Sequence, residues 1–490
     1  MRKKLSNVVS YLFKGGDLKA KAARSSAILS ISTAFNRVLQ LGRTMILARL
    51  LAPEEFGLVA MAMMVVAMVE SITDAGVRLS IIQKKGGANY AYLNVAWWFQ
   101  ALRGLILFLI VGGCAPWIAI IYEKPQLVNL LRVSFLTILL NGLVSPRVHI
   151  LEKQFQFGKW AAILQVSSVI GTAVTIGFAY YSPTVWAIVI GVVVERGVYC
   201  LISFILCPFK PSVPIDHKSL LEIIRFAKGI VGLSLMNLVA RQADVIVLGK
   251  VVSESVLGIY YLAVKLAEQP MGIFGNVISR ILLPAFAEKQ DKTEDLQLAV
   301  MKVNLGTSIF GLSLSTMMAS YAPVLLTVIY GQKYAPGAMA LSILSFNFFV
   351  RMHIVILTQL FFACGFPHLH RRLSFIRFLM IISLIYPSAK FFGINGAASV
   401  LLGTNSILLL MQLITFKRII KLYLIEYFRK WLPGALIAFI VLLPAIVLRS
   451  YGTEKIFLHA ISACISYTIA FIVGTLYLRG RPSKNRAAHL

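Results

Sequence analysis

Long apolar runs separated by short polar segments dominate the pattern of this chain. Between Arg37 and Lys85, two apolar runs, each long enough to cross a bilayer, flank the polar segment APEE at residues 52–55. Because proline is disfavoured inside a helix, this pattern predicts two helices joined by a short turn. The segment is therefore predicted to be a membrane hairpin.

The same pattern, followed in a window of about 20 residues, predicts roughly fourteen membrane-spanning helices. The spans centre near Val38, Val69, Leu105, Leu139, Val169, Val193, Val239, Gly272, Ser313, Val350, Ile382, Ile407, Phe439 and Tyr467. The predicted fold class is therefore all-α and integral to a membrane.

Basic residues are distributed unevenly between the two sides of these spans. The loops and tails on the side of the termini hold roughly thirty Lys and Arg, whereas the opposite loops hold about seven. Since positively charged loops stay on the cytoplasmic side, both termini are predicted to be cytoplasmic. Residues 1–25 are predicted to form a basic amphipathic segment on that side, and residues 481–490 a cytoplasmic tail.

Composition supports the membrane prediction and excludes several functions. Of the 490 residues, 58% are hydrophobic and 14% charged, with a mean hydropathy of +0.81. The net charge of +29 would fit a nucleic-acid-binding protein, but most basic residues lie in short segments between apolar runs, so no nucleic acid is predicted as a partner. No loop is long enough to fold as a catalytic domain, and the sequence has no phosphate-binding Gly-rich loop, HExxH motif, paired acidic DxD motif or nucleophile elbow. We therefore predict no enzymatic activity, no metal and no organic cofactor.

The hairpin recurs in the second half of the chain. Residues 46–62, ILARLLAPEEFGLVAMA, align without a gap on residues 247–263, VLGKVVSESVLGIYYLA, which places Arg49 on Lys250. The offset predicts two repeats of six spans, and an even number of spans inserts both repeats the same way round. The predicted domains after the basic segment are an N-lobe at 26–210, a C-lobe at 211–425, two additional spans at 426–480 and the tail.

The repeated hairpin also carries a resemblance. The stretch LARLLAPEEFGLVAMA, followed by ITDAGVRLSIIQKK, resembles the N-terminal signature of the polysaccharide exporter branch of the multidrug/oligosaccharidyl-lipid/polysaccharide flippase superfamily. Within that branch, the sequence is similar to exporters of the colanic-acid and teichuronic-acid type. Weaker similarity continues through RFAKGIVGLSLMNLVARQADVIVLGK and ISRILLPAFAEKQ and fades after about Arg418. Arg78 departs from the pattern, because an apolar residue is expected there.

The resemblance implies a flippase of the bacterial cytoplasmic (inner) membrane. Its substrate would be an undecaprenyl-pyrophosphate-linked oligosaccharide repeat unit of an exopolysaccharide, an O-antigen of lipopolysaccharide or a similar polymer, moved across the membrane by alternating access. The implied fold has two six-helix lobes around a positively charged lumen. Membrane lipids, a polysaccharide polymerase and chain-length machinery are the implied partners.

Several basic residues fall inside the predicted spans, where a single ionised group costs about 2.5 kcal/mol or more. Guanidinium groups are suited to bidentate capture of phosphate oxygens, so we predict that a cationic lumen binds the lipid pyrophosphate. The predicted substrate-binding residues are Arg37, Arg43, Arg103, Arg196, Arg241, Lys265 and Arg351. Four of them, Arg37, Arg43, Arg103 and Arg351, have no acidic residue within a helical turn. For the other three, the alternative is a neutralised structural pair, namely Glu195–Arg196, Arg241–Asp244 and Lys265–Glu268.

Acidic residues in the spans are candidates for coupling to H⁺ or Na⁺. Glu70 and Asp74 are four residues apart and therefore lie on one helix face, and Asp244 and Glu268 belong to the second repeat. The alternative for Glu70 and Asp74 is that they balance Arg37 or Arg43 on the neighbouring helix. Pro270 is predicted to break the eighth span, and His353 to be a hydrogen-bonded residue between helices.

Three other functions remain open from the sequence. A cation-coupled multidrug exporter of the same superfamily would need a less cationic cavity. A membrane glycan polymerase or ligase would need a large external loop, which this chain does not have. A scaffold without transport is favoured only if the charges at mid-membrane are fully paired.

Overall fold

The computed structural model describes residues 18–73, 76–84, 86–154, 156–213, 216–228, 231–450 and 456–480. Every regular element in these ranges is helical. The α-helices are α1 Leu18–Leu50, α2 Pro53–Thr73, α3 Val77–Gln83, α4 Tyr90–Tyr122, α5 Leu127–Ser134, α6 Leu136–Gly142, α7 Val148–Lys153, α8 Phe157–Tyr181, α9 Val185–Leu206, α10 His217–Lys228, α11 Val231–Val251, α12 Glu254–Ala287, α13 Thr293–Ser320, α14 Ala322–Ile329, α15 Ala338–Ala363, α16 Pro367–Ile419, α17 Leu424–Arg429, α18 Leu432–Ser450 and α19 Ile456–Gly480. A 3₁₀ helix, Gln332–Gly337, precedes α15.

The chain divides into two compact units, Met1–Gln242 and Ala243–Leu490. The division lies inside α11, whereas the sequence places the boundary between lobes at 210/211, and the lobe boundaries stay a prediction. Residues 18–25 of the predicted basic segment belong to α1, the helix of the first span. Residues 1–17 of that segment and the tail 481–490 lie outside the described residues.

Eight helical stretches in the described ranges are long and apolar enough to cross a membrane. Four further helices, α1, α2, α11 and α12, have 33, 21, 21 and 34 residues, and about 20 residues are enough to span the hydrocarbon core. The chain is therefore a multi-pass membrane protein. The count of fourteen spans stays a prediction.

The predicted hairpin is present, with a shorter turn than expected. The helix α1 ends at Leu50 and α2 already begins at Pro53. Proline is favoured at the first helical position because its missing N–H would have no partner there, and Glu54 and Glu55 lie in the first turn, beside the positive end of the helix dipole. In the second unit, α11 ends at Val251 and α12 begins at Glu254, the positions that the ungapped repeat alignment makes equivalent. The repeat is therefore reproduced at its helix boundaries.

Three predicted spans differ from the structure. The span near Leu139 is two short helices, α5 and α6, interrupted at Phe135 and covering only Leu127–Gly142 together. The spans near Ile382 and Ile407 both lie in α16, which changes direction at Gly393, with φ 56° and ψ −137°. Glycine adopts this backbone conformation without a Cβ clash. The helix α12 continues through Pro270, from Glu254 to Ala287, so the predicted break is limited to the one backbone hydrogen bond that a proline cannot donate.

Glycines bring three helices of the first unit close to their neighbours. A Cβ on Gly142 of α6 would lie 2.5 Å from the carbonyl oxygen of Gln100 on α4, and a Cβ on Gly104 would lie 3.1 Å from that of Ile138. A Cβ on Gly171 of α8 would lie 2.5 Å from the Cβ of Glu195 on α9. Small residues permit such backbone contact between membrane helices. These glycines therefore permit α4 to pack closely against α6, and α8 against α9.

Residues 207–212 are bonded to the Tyr90 end of α4. Asn94 Nδ2 donates to the carbonyl oxygen of Ser212 at 2.7 Å, and Asn94 Oδ1 accepts from the Ser212 backbone N–H at 2.9 Å. Trp98 Nε1 donates to the same carbonyl at 3.1 Å. The helix α10, which follows, packs through the fully buried Ile223. Residues 207–212 are therefore anchored to the Tyr90 end of α4.

The second unit has its main core among α13, α15 and α16. Phe361 and Phe416 pack with ring centroids 4.3 Å apart inside a cluster of buried aliphatic side chains. The two additional helices, α18 and α19, pack against α13, and a Cβ on Gly434 would lie 2.6 Å from the carbonyl oxygen of Ser308. The last spans are therefore part of this core.

Candidate functional site

Arg43 is paired with an acidic residue that is distant in sequence. Its Nη1 lies 3.1 Å from Glu195 Oε2, which joins α1 to α9, and the side chains are 18% and 25% exposed. The approach of α8 at Gly171 holds Glu195 in place. The predicted local pair of Glu195 with Arg196 is wrong, because consecutive residues on a helix point in different directions. Arg196 is exposed instead.

Arg37 lies on α1 about two turns before Arg43 and is half-buried. In the part of the chain that the structure describes, Arg37 takes part in no ion pair. The predicted balancing residue Asp74 lies outside the described residues. The role predicted for Arg37, a cation available to an anionic ligand, stays a prediction.

Arg103 and Glu70 belong to one polar network within the first unit. Arg103 Nη2 donates to the backbone carbonyl of Glu70 at 3.1 Å, which joins α4 to α2. Asn141 Nδ2 on α6 donates to Glu70 Oε1 at 2.6 Å. Asn141 was not among the predicted site residues, although an amide in the apolar run of α6 was a signal. The network therefore joins α2, α4 and α6 through the backbone carbonyl and the carboxylate of Glu70.

The corresponding pair in the second unit joins Arg351 to Glu268. Arg351 Nη1 lies 3.1 Å from Glu268 Oε1, so α15 is joined to α12, and the side chains are 32% and 42% exposed. Lys265 is exposed, and its Nζ lies 5.1 Å from the ring centroid of Tyr261. Both Arg43 and Arg351, which lack an acid within a turn in sequence, thus obtain one from a neighbouring helix.

Asp244 is buried and held by neutral donors. Tyr260 Oη donates to its Oδ2 at 2.8 Å, and the backbone N–H of Val245 donates to its Oδ1 at 2.9 Å. Extending the repeat alignment along the same helices makes Asp244 the equivalent of Arg43. Arg241, in the preceding turn, is exposed. The two repeats therefore carry opposite charges at equivalent positions.

His353 forms the interhelical hydrogen bond predicted for it. Its Nδ1 lies 3.0 Å from Tyr427 Oη on α17, and its ring lies 4.9 Å from that of Trp431. Trp431 Nε1 donates to Asn304 Oδ1 on α13 at 3.0 Å. This cluster joins three helices of the second unit.

A chain of polar side chains that was not predicted joins α15 to α16. Arg377 Nη1 donates to Asn405 Oδ1 at 3.0 Å, and Asn405 Nδ2 donates to Asn347 Oδ1 at 2.7 Å. Both asparagines are buried. Arg377 was not included among the predicted membrane cations, because it follows a run of basic residues near the start of α16.

The departure of Arg78 from the family pattern has a structural cause. Its Nε and Nη2 lie 2.9 Å and 2.5 Å from the two carboxylate oxygens of Glu152, which joins α3 to α7 in a bidentate pair. Such a pair holds two short helices that are too small to bury a large core. His149, on α7, lies beside this pair.

A pH-dependent stability is expected from His149, which lies outside the long membrane helices. Burial lowers its pKa from 6.5 to about 4, and the Arg78 guanidinium acts in the same direction while Glu152 opposes it. Between pH 6.5 and 4 the unfolded chain therefore binds more protons, so the stability contributed by neutral His149 is complete above pH 6.5 and is lost as the pH falls. We expect a loss of about 1 to 2 kcal/mol across this window, because each pKa unit corresponds to about 1.4 kcal/mol and the side chain keeps some contact with solvent.

Thermal unfolding of the purified protein from pH 4 to 7.5 tests this expectation. The variant His149→Gln has no titrating group at this position, so its melting temperature is expected to fall less with acid than that of the wild type. An equal fall of melting temperature with acid in the two proteins would contradict a stabilising role of neutral His149.

Comparisons with known proteins extend over much of the chain. The sequence family described as polysaccharide biosynthesis protein matches residues 46–339. The chain is 24% identical over 323 residues to the lipopolysaccharide biosynthesis protein WzxC of Escherichia coli (strain K12), covering 65% of each chain. It is 25% identical over 306 residues to the succinoglycan biosynthesis transport protein ExoT of Rhizobium meliloti (strain 1021), covering 62% of this chain and 61% of ExoT. These matches span less than two thirds of the length of either relative.

A solved structure of the lipid II flippase MurJ, in an inward closed conformation, has a similar fold. The TM-score is 0.74 at 13% identity, over 91% of this chain and 98% of that chain. At this identity the likeness concerns the fold alone. Because the sequence-family match covers more than half of the chain, this protein belongs to the polysaccharide biosynthesis protein family, which confirms its resemblance to the polysaccharide exporter branch.

Proposed function

We propose that this protein moves an undecaprenyl-pyrophosphate-linked oligosaccharide repeat unit across the bacterial cytoplasmic membrane by alternating access. The observation that carries the proposal is Arg37, a half-buried arginine in a membrane helix that has no ion pair among the described residues. An ionised group inside a membrane is costly, and such groups commonly mark a substrate or ion pathway. The similarity to ExoT, a succinoglycan biosynthesis transport protein, and to MurJ, a lipid II flippase, supports transport of a lipid-linked glycan precursor.

The chemistry of the substrate fits this set of residues. A lipid pyrophosphate carries several anionic oxygens, and guanidinium groups donate to such oxygens in pairs. We propose that Arg37 and Arg103 bind the pyrophosphate in the first unit, with Arg196, Arg241 and Lys265 as further cations. In this proposal Arg43 and Arg351 bind substrate only by exchanging their acidic partners, Glu195 and Glu268, for phosphate. That exchange would link substrate binding to a change in helix contacts.

The remaining features follow from the same proposal. Both termini would be cytoplasmic, and the membrane would be the inner one. Transport leaves the bonds of the substrate unchanged, so the protein would not be an enzyme. A polysaccharide polymerase and chain-length machinery are the proposed protein partners. H⁺ or Na⁺ is the proposed coupling ion, bound at Glu70 with Asp74, at Asp244 or at Glu268.

The decisive experiment follows the lipid-linked repeat units in cells that lack this protein. Leaflet-selective labelling is expected to find them accumulated on the cytoplasmic leaflet, and the wild-type gene is expected to restore their export. Carriers already on the outer leaflet but unpolymerised would contradict the flippase and favour a polymerase. Unchanged lipid carriers would contradict both.

A second candidate is a cation-coupled multidrug exporter of the same superfamily. The buried Asp244 favours it, because Asp244 is held by neutral donors and has no ion pair among the described residues, and a buried carboxylate in that state binds a proton or a small cation. In that case, loss of the protein would increase drug sensitivity and leave the lipid carriers unaffected.

A further inference from the structure

An apolar groove opens on the side of the first unit, between α4 and α6. Its volume is about 790 Å³, within the range of ligand pockets. Leu102 and Ile106 of α4 form one wall, and Leu139 of α6 forms the other. The groove exists because α5 and α6 are short and interrupted at Phe135 and so leave part of the side of α4 uncovered.

The groove has a definite direction along the membrane normal. On α4 its lining runs from residue 95 to residue 107, about 18 Å at 1.5 Å per residue. This is close to half of a hydrocarbon core of about 30 Å, the depth of one leaflet. At the Tyr90 end it is bounded by Trp98, whose indole N–H is bonded to Ser212, and by Leu220 of α10. An indole in this position is typical of the membrane interface.

Arg103 is the one charged residue among the described side chains that line the groove. It lies eight residues, about 12 Å along α4, from Val95 at the interfacial end of the groove, which is most of the depth of one leaflet. The phosphate of an ordinary phospholipid stays at the interface and does not reach this depth. Only a lipid whose headgroup is being moved through the membrane brings a phosphate to the level of this guanidinium.

We propose that this groove holds the polyprenyl chain of the transported lipid while its phosphate interacts with Arg103. The proposal rests on the proposed function and names the part of the substrate that this surface binds. Exposed aliphatic side chains supply an apolar surface for the polyprenyl chain, since Leu102 is 56% and Ile106 44% exposed. The network of Arg103 with Glu70 and Asn141 then connects the occupied groove to the candidate site within the same unit.

The test uses two photoreactive lipids with the same diazirine group, an undecaprenyl phosphate and a phosphatidylglycerol. Each is added to the full-length protein in nanodiscs, irradiated, and mapped by mass spectrometry. The undecaprenyl probe is expected to label residues 95–107 of α4. Equal labelling by phosphatidylglycerol would mean that the groove holds bulk lipid, and labelling elsewhere would place the chain on another surface; either result overturns the proposal.

A matched pair of variants on α4 makes the test specific. Leu102→Trp fills the groove and is expected to reduce labelling at least tenfold. Leu109→Trp, two turns further along α4, changes a leucine of similar exposure, 62%, that does not line the groove, and is expected to be labelled like the wild type. Wild-type labelling of Leu102→Trp would overturn the proposal. The melting temperature of each variant shows whether it is folded.

A flipping assay in proteoliposomes separates this proposal from the proposed function. If the wild type flips the lipid and Leu102→Trp flips it at the same rate, the groove proposal fails and the flippase stands. If the wild type labels in the groove but flips nothing, the flippase fails and the lipid site stands.

Discussion

Glu195→Ala is expected to destabilise the first unit by about 3 kcal/mol. The substitution leaves the Arg43 guanidinium, 18% exposed, among membrane helices without the carboxylate that lies 3.1 Å away. Removing one partner of a buried pair costs about 3 to 5 kcal/mol, and the partial exposure of this pair places it at the lower end. Reversible unfolding of the purified protein in detergent and denaturant measures the loss.

A double variant and an exposed pair serve as controls. Arg43→Met combined with Glu195→Leu removes both charges and is expected to recover most of the stability, because no unpaired charge remains. Glu222→Ala disrupts the exposed pair with Lys84 in the same unit and is expected to cost less than about 1 kcal/mol. A loss for Glu195→Ala as small as that for Glu222→Ala would contradict a structural role of the Arg43–Glu195 pair.

Arg37→Ala is expected to reduce export of the lipid-linked repeat unit at least tenfold without loss of folded protein. Arg37 has no ion pair among the described residues, so its removal leaves no described carboxylate unpaired. Export is measured by leaflet-selective labelling in cells that lack the wild-type protein, and the amount of folded protein by detergent-stable fluorescence of a fusion. Arg37→Lys retains the charge but not the bidentate geometry and is expected to restore export only in part.

Two further variants show whether the effect belongs to the site. Arg371→Ala removes an exposed arginine near the start of α16 and is expected to export like the wild type. Arg103→Ala is expected to abolish export and also to lower stability, because Arg103 donates to the Glu70 carbonyl. Normal export by Arg37→Ala would remove this residue from the substrate site.

The same local rules that identify the hairpin also identify its repeat. A proline at a first helical position, acidic residues beside it and an apolar run of sufficient length are properties of short segments, so they can be recognised without knowing the fold. The ends of α1 and α11 and the starts of α2 and α12 lie where the alignment of the two segments places them. Interruptions such as those at Phe135 and Gly393 have weaker local signals and were missed.

The sequence by itself determined the fold class and the family, because both depend on composition and on segments of adjacent residues. Only the tertiary structure decided which charges meet. Glu195 contacts Arg43, 152 residues away, rather than its neighbour Arg196, and Glu268 contacts Arg351, 83 residues away. The physical reason is that a pair inside a membrane forms where helix packing brings two side chains together out of water, and the packing depends on glycines such as Gly171 on a third helix.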